Sequence, residues 1–284
     1  MDNVLINSRE AFSKDHPELP VQLNGREWGV IEAGTVGPVL FLLPGTLGRA
    51  DILWQQISAL ESRARIFSFS YPDSGLIEDW VADIASFLVA KEITSVTMLG
   101  SSLGGYLAQL IADAHPSSID SLIAANTLNS VALLQNIPPY SLDIDATPID
   151  DLRAGFVEKM QGSLKQAPES RELVELLLEE VRGRIPEGEM RMRLKALQQA
   201  PELAVGAIGE YPCYTVESLD DQLIPQPISQ MVRQRLNPAR AYRFKIGSHF
   251  PYVTRPKAYL AILEEVLGLE ITGDPWPQGE ISEQ

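Results

Sequence analysis

Short apolar runs alternate with longer amphipathic stretches along most of the chain. Residues 39–43 form a continuous apolar run that stops at Pro44-Gly45, the appearance of a strand buried on both faces. Residues 66–70, 95–99, 121–125, 211–216 and 242–246 read as further strands. Between them, 51–60, 76–90, 103–114, 228–236 and 258–267 read as helices; in the second of these, Trp80, Ile84 and Leu88 recur at helical spacing. This alternation predicts an α/β protein with a mostly parallel central sheet flanked by helices. Trp28, Trp54 and Trp80 are read as core or pocket-edge aromatics.

The alternation breaks between about Leu128 and Ile208. This stretch opens with Ile137-Pro138-Pro139-Tyr140 and an acidic loop around Asp143, Asp145, Asp150 and Asp151, and three amphipathic helices follow. Leu173, Leu177 and Val181 share one face of the second; Met190, Leu194 and Leu197 share one face of the third, with Arg191 and Lys195 pointing away. The expected division is a first half of the α/β core over 1–128, a helical cap over 129–208, the second half of the core over 209–270 and a loose tail over 271–284. So long an insert in a compact domain predicts a lid over a site.

Charge and composition narrow the function. Asp and Glu outnumber Lys and Arg 38 to 23, a net charge of −15, so neither nucleic acid nor an anionic membrane is an expected partner. The single cysteine, Cys213, excludes an internal disulfide framework and a cysteine-rich zinc site. The polar N-terminal segment lacks a basic region followed by an apolar one, and no run reaches the ~18 apolar residues of a membrane span. A cytoplasmic monomer or homodimer is the expectation.

The strongest chemical signal is Gly100-Ser101-Ser102-Leu103-Gly104, between a predicted strand and a predicted helix. A chain that reverses so sharply strains the central residue, and glycines two positions to either side let the two backbones approach. Centring on Ser101 would put Leu99 and Leu103 at those flanks, so Ser102 is the candidate nucleophile. A serine hydroxyl needs a base oriented by a third group. Of the three histidines, His16 precedes the predicted sheet, and His115 lies at the far end of the helix after Ser102, roughly 18 Å away at ~1.5 Å per residue. His249, in the loop after the last predicted strand, is the candidate base. Asp221 is the preferred orienting acid and Asp220 the reserve, both following the 211–216 strand. The oxyanion hole needs two amides: Leu103, after the nucleophile, and Thr46, in the loop after the 39–43 strand, where Gly45 is expected to allow a tight turn. The spread of the histidines argues against a metal hydrolase, and this chemistry calls for no cofactor.

The order Ser102, Asp221, His249, with Leu223-Ile224-Pro225 after the acid and Phe250-Pro251 after the histidine, resembles the α/β-hydrolase superfamily over about residues 26–268. The resemblance implies an α/β-hydrolase fold with a helical cap inserted after the sixth strand. Some members carry the acid where this chain has Asn126, whose amide cannot serve. Gly100–Gln109, Asn126-Thr127-Leu128, Asp221-Gln222, Asn237–Arg240 and Phe250-Pro251-Tyr252 are similar to maspardin-like proteins of that superfamily. The expected activity is hydrolysis of a small, moderately apolar carboxylic ester or lactone. Carbon–carbon bond hydrolysis or a peroxidase-like reaction with the same three residues, and a non-catalytic interaction protein, are the alternatives; retention of His249 favours catalysis.

Overall fold

The computed structural model describes residues 3–284 except 133, 135 and 205–208, so the predicted end of the helical insert at 208 lies outside the described residues. The sheet runs through β1 (Leu19–Leu23), β2 (Arg26–Ala33), β3 (Val39–Leu43), β4 (Arg65–Ser70), β5 (Val96–Ser101), β6 (Ile119–Ala125), β7 (Cys213–Ser218), β8 (Arg240–Phe244) and β9 (Ile281–Glu283). Its order is β1-β2-β4-β3-β5-β6-β7-β8-β9. The β1–β2 and β2–β4 pairs are antiparallel and all later pairs parallel. The fold is an α/β-hydrolase fold, a mostly parallel sheet with helices on both faces.

Alternation along β3 divides the core between the two faces of the sheet. Leu40 and Leu42 join α2 (Trp54–Leu60) and α10 (Pro256–Val266) on one side. Phe41 and Leu43 join α3 (Ile77–Ala90) and α4 (Leu103–Ala114) on the other. On that second side Trp28 and Trp80 are completely buried, their rings 5.9 Å apart at a steep angle, so they are core aromatics. Trp54 is buried on the first side.

Helices α5 (Ile149–Gln166), α6 (Arg171–Glu179) and α7 (Glu187–Gln198) lie between β6 and β7, where three amphipathic helices are expected. Leu173, Leu177, Val181, Met190, Leu194 and Leu197 are all buried. The chain re-enters the sheet at β7 and continues through α8 (Gln226–Leu236), β8 and the short α9 (Pro251–Thr254).

The two termini are both tied to the rest of the fold. The polar N-terminal segment forms α1 (Val4–Asp15), capped by Asn3, whose side chain accepts from the Ile6 amide at 3.1 Å. Arg9 on α1 is buried and donates to Glu179 and Glu180, each at 2.7 Å, fastening α1 to the insert. The tail predicted to be loose from 271 is instead docked. Glu264 accepts from the Thr272 and Gly273 amides at 2.8 and 3.0 Å. The Trp276 indole donates to Ala258 O at 2.8 Å and its ring packs against Tyr242 and Phe244. Strand β9 then pairs with β8. Dense glycine and proline make the tail look like a free loop, but one buried tryptophan and one buried carboxylate anchor it.

Candidate active site

The sheet places the site. From β3 the strand order steps one way to β4 and the other way to β5, so a crevice opens outside the carboxyl ends of β3 and β5. The loop after β3 and the turn after β5 meet there.

Ser102 occupies that second turn at φ 53°, ψ −117°. Such a backbone in a non-glycine residue costs roughly 1–3 kcal/mol and persists only when its surroundings hold it. Here the Ser102 amide donates to Ala125 O at 3.0 Å, and its carbonyl accepts from the Tyr106 amide at 3.0 Å and the Thr127 hydroxyl at 2.7 Å. The flanking glycines serve close approach: a Cβ on Gly100 would lie 2.1 Å from Gly104 O, and one on Gly104 would lie 2.0 Å from Leu43 O. Gly45 is not at positive φ; its missing Cβ leaves room for Ser102, whose own Cβ would be 3.1 Å away.

The loops after β7 and β8 bring the acid and the histidine together. His249 Nδ1 lies 2.8 Å from Asp221 Oδ2, and both residues are buried. Asp221 Oδ1 accepts from the amides of Leu223 and Ile224 at 2.8 and 3.0 Å, and Oδ2 also accepts from Asn126 Nδ2 at 2.9 Å. Burial pushes the Asp221 carboxyl up, but His249, the Ile224 amide and Asn126 more than offset it and hold the group below the ordinary carboxylate range. Asp220 points elsewhere: its Oδ1 accepts from the Gly247 and Ser248 amides, both at 2.9 Å, tying the histidine loop to the acid loop.

Asn126 has a part that the sequence does not advertise. From the end of β6 its side-chain amide donates to Asp221. Ser102, Asn126 and Ser248, at φ 53°, 41° and 53°, are three of the non-glycine residues at positive φ, so backbone strain gathers at this site. An Asn directly after a predicted strand is the one signal that could have marked it.

Ser102, His249 and Thr46 line one cavity of about 510 Å³. Its walls include Phe156 and Met160 of α5 and Leu173 and Leu177 of α6, so the insert forms much of the apolar lining. Tyr140, from the predicted Pro-Pro-Tyr stretch, also lines it; burial raises its hydroxyl pKa, opposed by a hydrogen bond with the Thr46 side chain. Lys159 lines the cavity too, and burial lowers its pKa while the charge of Asp221 acts in the opposite direction. Leu103 opens α4 and is buried, at the positive end of the helix dipole.

The other two histidines lie elsewhere. His16 Nε2 contacts Glu61 at 2.6 Å and its ring stacks on Phe12 at 4.2 Å. His115 is the C-cap of α4. Cys213 is buried, which pushes its thiol up to about 11 and leaves it a structural residue. Among the described residues no cluster of His, Cys, Asp or Glu is suited to a metal ion, and no helix is long and apolar enough to cross a membrane.

A strained serine at a strand-to-helix turn thus shares a cavity with the histidine of a buried aspartate–histidine pair, at the carboxyl ends of a mostly parallel sheet. A model described as the alpha/beta hydrolase family matches residues 23–262, and the chain belongs to that family. It is 23% identical to maspardin from Mus musculus over 248 residues, 80% of this chain and 75% of that protein. It is 26% identical to pimeloyl-[acyl-carrier protein] methyl ester esterase from Aeromonas hydrophila over 260 residues, 82% of this chain and 96% of that one. Among solved structures, the enol-lactonase from Burkholderia xenovorans LB400 superposes with a TM-score of 0.74 at 16% identity, covering 88% of this chain and 100% of that chain.

Proposed function

We propose that this chain is a serine hydrolase that cleaves a small carboxylic ester or lactone through an acyl-enzyme. Ser102 attacks the carbonyl, and His249 takes the hydroxyl proton and later returns it to the leaving group. Asp221 fixes the histidine tautomer and stabilises the imidazolium. The amides of Leu103 and of the Thr46 turn receive the oxyanion, and water then releases the acid. The helices between β6 and β7 act as a cap whose apolar lining suits a moderately apolar acyl or alkyl group.

The observation that carries this reading is the 2.8 Å contact between His249 Nδ1 and Asp221 Oδ2 beside the strained Ser102, on a shared cavity. The contact from Ser102 Oγ to His249 Nε2 is not among the hydrogen bonds of the described residues, and it is the one that substrate binding would close. The esterase relative supports an ester over other acyl substrates.

The test is labelling with a fluorophosphonate probe, which reacts only with an activated serine. The wild type is expected to label and Ser102→Ala is not. An unlabelled wild type overturns the hydrolase reading and leaves a non-catalytic interaction protein, the second reading that the likeness to maspardin leaves open. Labelling that survives Ser102→Ala overturns the nucleophile.

A further inference from the structure

An oxyanion hole must show amide hydrogens to the substrate and keep carbonyl oxygens away from it. The segment from Pro44 to Gly48 achieves the second half of this with identifiable partners. The Tyr71 hydroxyl donates to Pro44 O at 2.6 Å. Gly45 O accepts from the Gly48 amide at 3.0 Å, closing a turn with Thr46 and Leu47 at its centre. Thr46 O and Gly48 O both accept from Arg193 Nη1, at 3.0 and 2.7 Å.

Arg193 comes from α7, in the helical insert, and is completely buried. Its Nη2 donates to Glu189, one turn back, at 2.9 Å, and its guanidinium lies over the Tyr71 ring at 5.2 Å. Glu189 in turn accepts from Arg49, at the end of the same loop, at 3.0 Å. Thus the side chains that hold the loop's carbonyls also hold one another.

The Thr46–Leu47 peptide is the sensitive one. The central peptide of a β-turn distinguishes type I from type II, and a flip of that plane exchanges the directions of its carbonyl and its amide. Because the peptide is planar and trans, an oxygen held by Arg193 sends the Leu47 N–H the opposite way. The Thr46 N–H belongs to the preceding peptide plane, so a flip reaches it through the changed backbone angles of Thr46, while the Thr46 carbonyl swings to the side on which the Leu47 N–H had been.

We propose that Arg193 is a positioning residue: it reaches from the cap to hold the carbonyls of Thr46 and Gly48, and so fixes the backbone of Thr46, whose amide is the oxyanion donor, with the turn's carbonyls kept out of the hole. This rests on the serine hydrolase reading. A buried cation on two carbonyls also polarises those peptides and strengthens their N–H groups as donors. The cap is therefore part of the catalytic apparatus as well as a wall of the substrate cavity.

The experiment compares wild type, Arg193→Met, Arg193→Lys and Tyr71→Phe on a p-nitrophenyl ester. Each is also titrated with an alkyl trifluoromethyl ketone, whose serine adduct carries an oxyanion, and with the product carboxylic acid as a ground-state ligand. Arg193→Met is expected to lose about 10- to 100-fold in kcat with KM nearly unchanged, since displacing the hole costs less than or as much as deleting a donor. Ketone affinity should fall in step with kcat/KM while product affinity holds. Arg193→Lys, which keeps a donor, should recover part of the loss. Tyr71→Phe, which removes only the hydroxyl on Pro44 O, should show the same pattern more weakly, and it carries the test with Arg193→Lys if Arg193→Met does not fold. An active wild type whose Arg193 variants keep kcat and ketone affinity within threefold overturns the clamp alone. Equal losses for ketone and product also overturn it, because that is the signature of general structural damage. An inactive wild type that fails to label overturns the underlying reading instead.

Discussion

The loops at the carboxyl ends of β3, β5, β6 and β8 and the helices between β6 and β7 face the same cavity but are held by different forces. The loops are fixed by backbone. Ser102 is trapped by three hydrogen bonds to its main-chain N–H and carbonyl, Gly100 and Gly104 permit contacts that no Cβ would survive, and Asp220 ties the histidine loop through two amides. The helices are fixed by buried charge. Glu180, fully buried, meets Arg9 and Arg184; Arg184 meets Asp51 at 2.6 Å; Arg193 meets Glu189. Burial raises the pKa of Glu180 in spite of Arg184 and Arg9, so desolvation is the dominant influence there. Geometry set by backbone tolerates changes of charge but not of shape. Geometry set by buried ions tolerates small changes of shape but not the loss of one partner.

The largest effect should come from the buried carboxylate in the loop after β7. Asp221→Asn is expected to lower kcat by about 10³–10⁴-fold, because the histidine loses both its orientation and its counter-charge. Asp220→Asn should cost less than about tenfold, since an amide oxygen can still accept from both loop amides, more weakly than the charged oxygen did. Steady-state rates on a p-nitrophenyl ester check both, and a larger loss at Asp220 would reverse their roles.

Arg9→Met tests the charge-built side. Removing one member of a buried network leaves the others uncompensated and should destabilise the protein by about 3–5 kcal/mol in denaturant unfolding. A loss below about 1 kcal/mol, the range of exposed pairs, would mean that the network contributes little to holding the helices.

Gly104→Ala tests the backbone-built side. A Cβ 2.0 Å from Leu43 O must push β3 and α4 apart, for a cost of about 3 kcal/mol in the same assay and a larger proportional loss of activity. Wild-type stability and rate in this variant would show that the elbow accommodates what its geometry forbids.

The smallest effect is in acid. The folded Asp221 carboxyl titrates below its unfolded value of about 3.9. Its contribution to stability is therefore complete above that value and is lost as pH falls through the lower folded one. The stability gap between wild type and Asp221→Asn should be flat above about pH 5 and narrow below about pH 4. A gap that widens in acid would show that the sign is reversed.

The α/β alternation, the helical interruption after β6 and the strand-to-helix turn at Ser102 can be read along the chain, because they are written in local patterns. Burial on both faces makes an apolar run, a helix makes a 3.6-residue period, and a tight strand-to-helix turn demands glycines at fixed offsets. His249 was singled out by elimination among three histidines and Asp221 by a resemblance carried by the Leu-Ile-Pro turn after it, and the fold brings the two within 2.8 Å. Other features emerge only on folding, because they depend on partners distant along the chain. Asn126 meets Asp221 across 95 residues, Arg193 meets Thr46 across 147 and Arg9 meets Glu180 across 171. Arg193 even stands within the apolar face of its helix, three residues after Met190 and four before Leu197, where the amphipathic pattern assigns no role to a charge. Docking of α1, the antiparallel β1–β2 edge and the return of the tail as β9 belong to the same class. A hydrogen bond or ion pair of this kind leaves no periodicity in either segment, because each supplies only one polar residue whose worth is set by the low-dielectric place where the fold joins them.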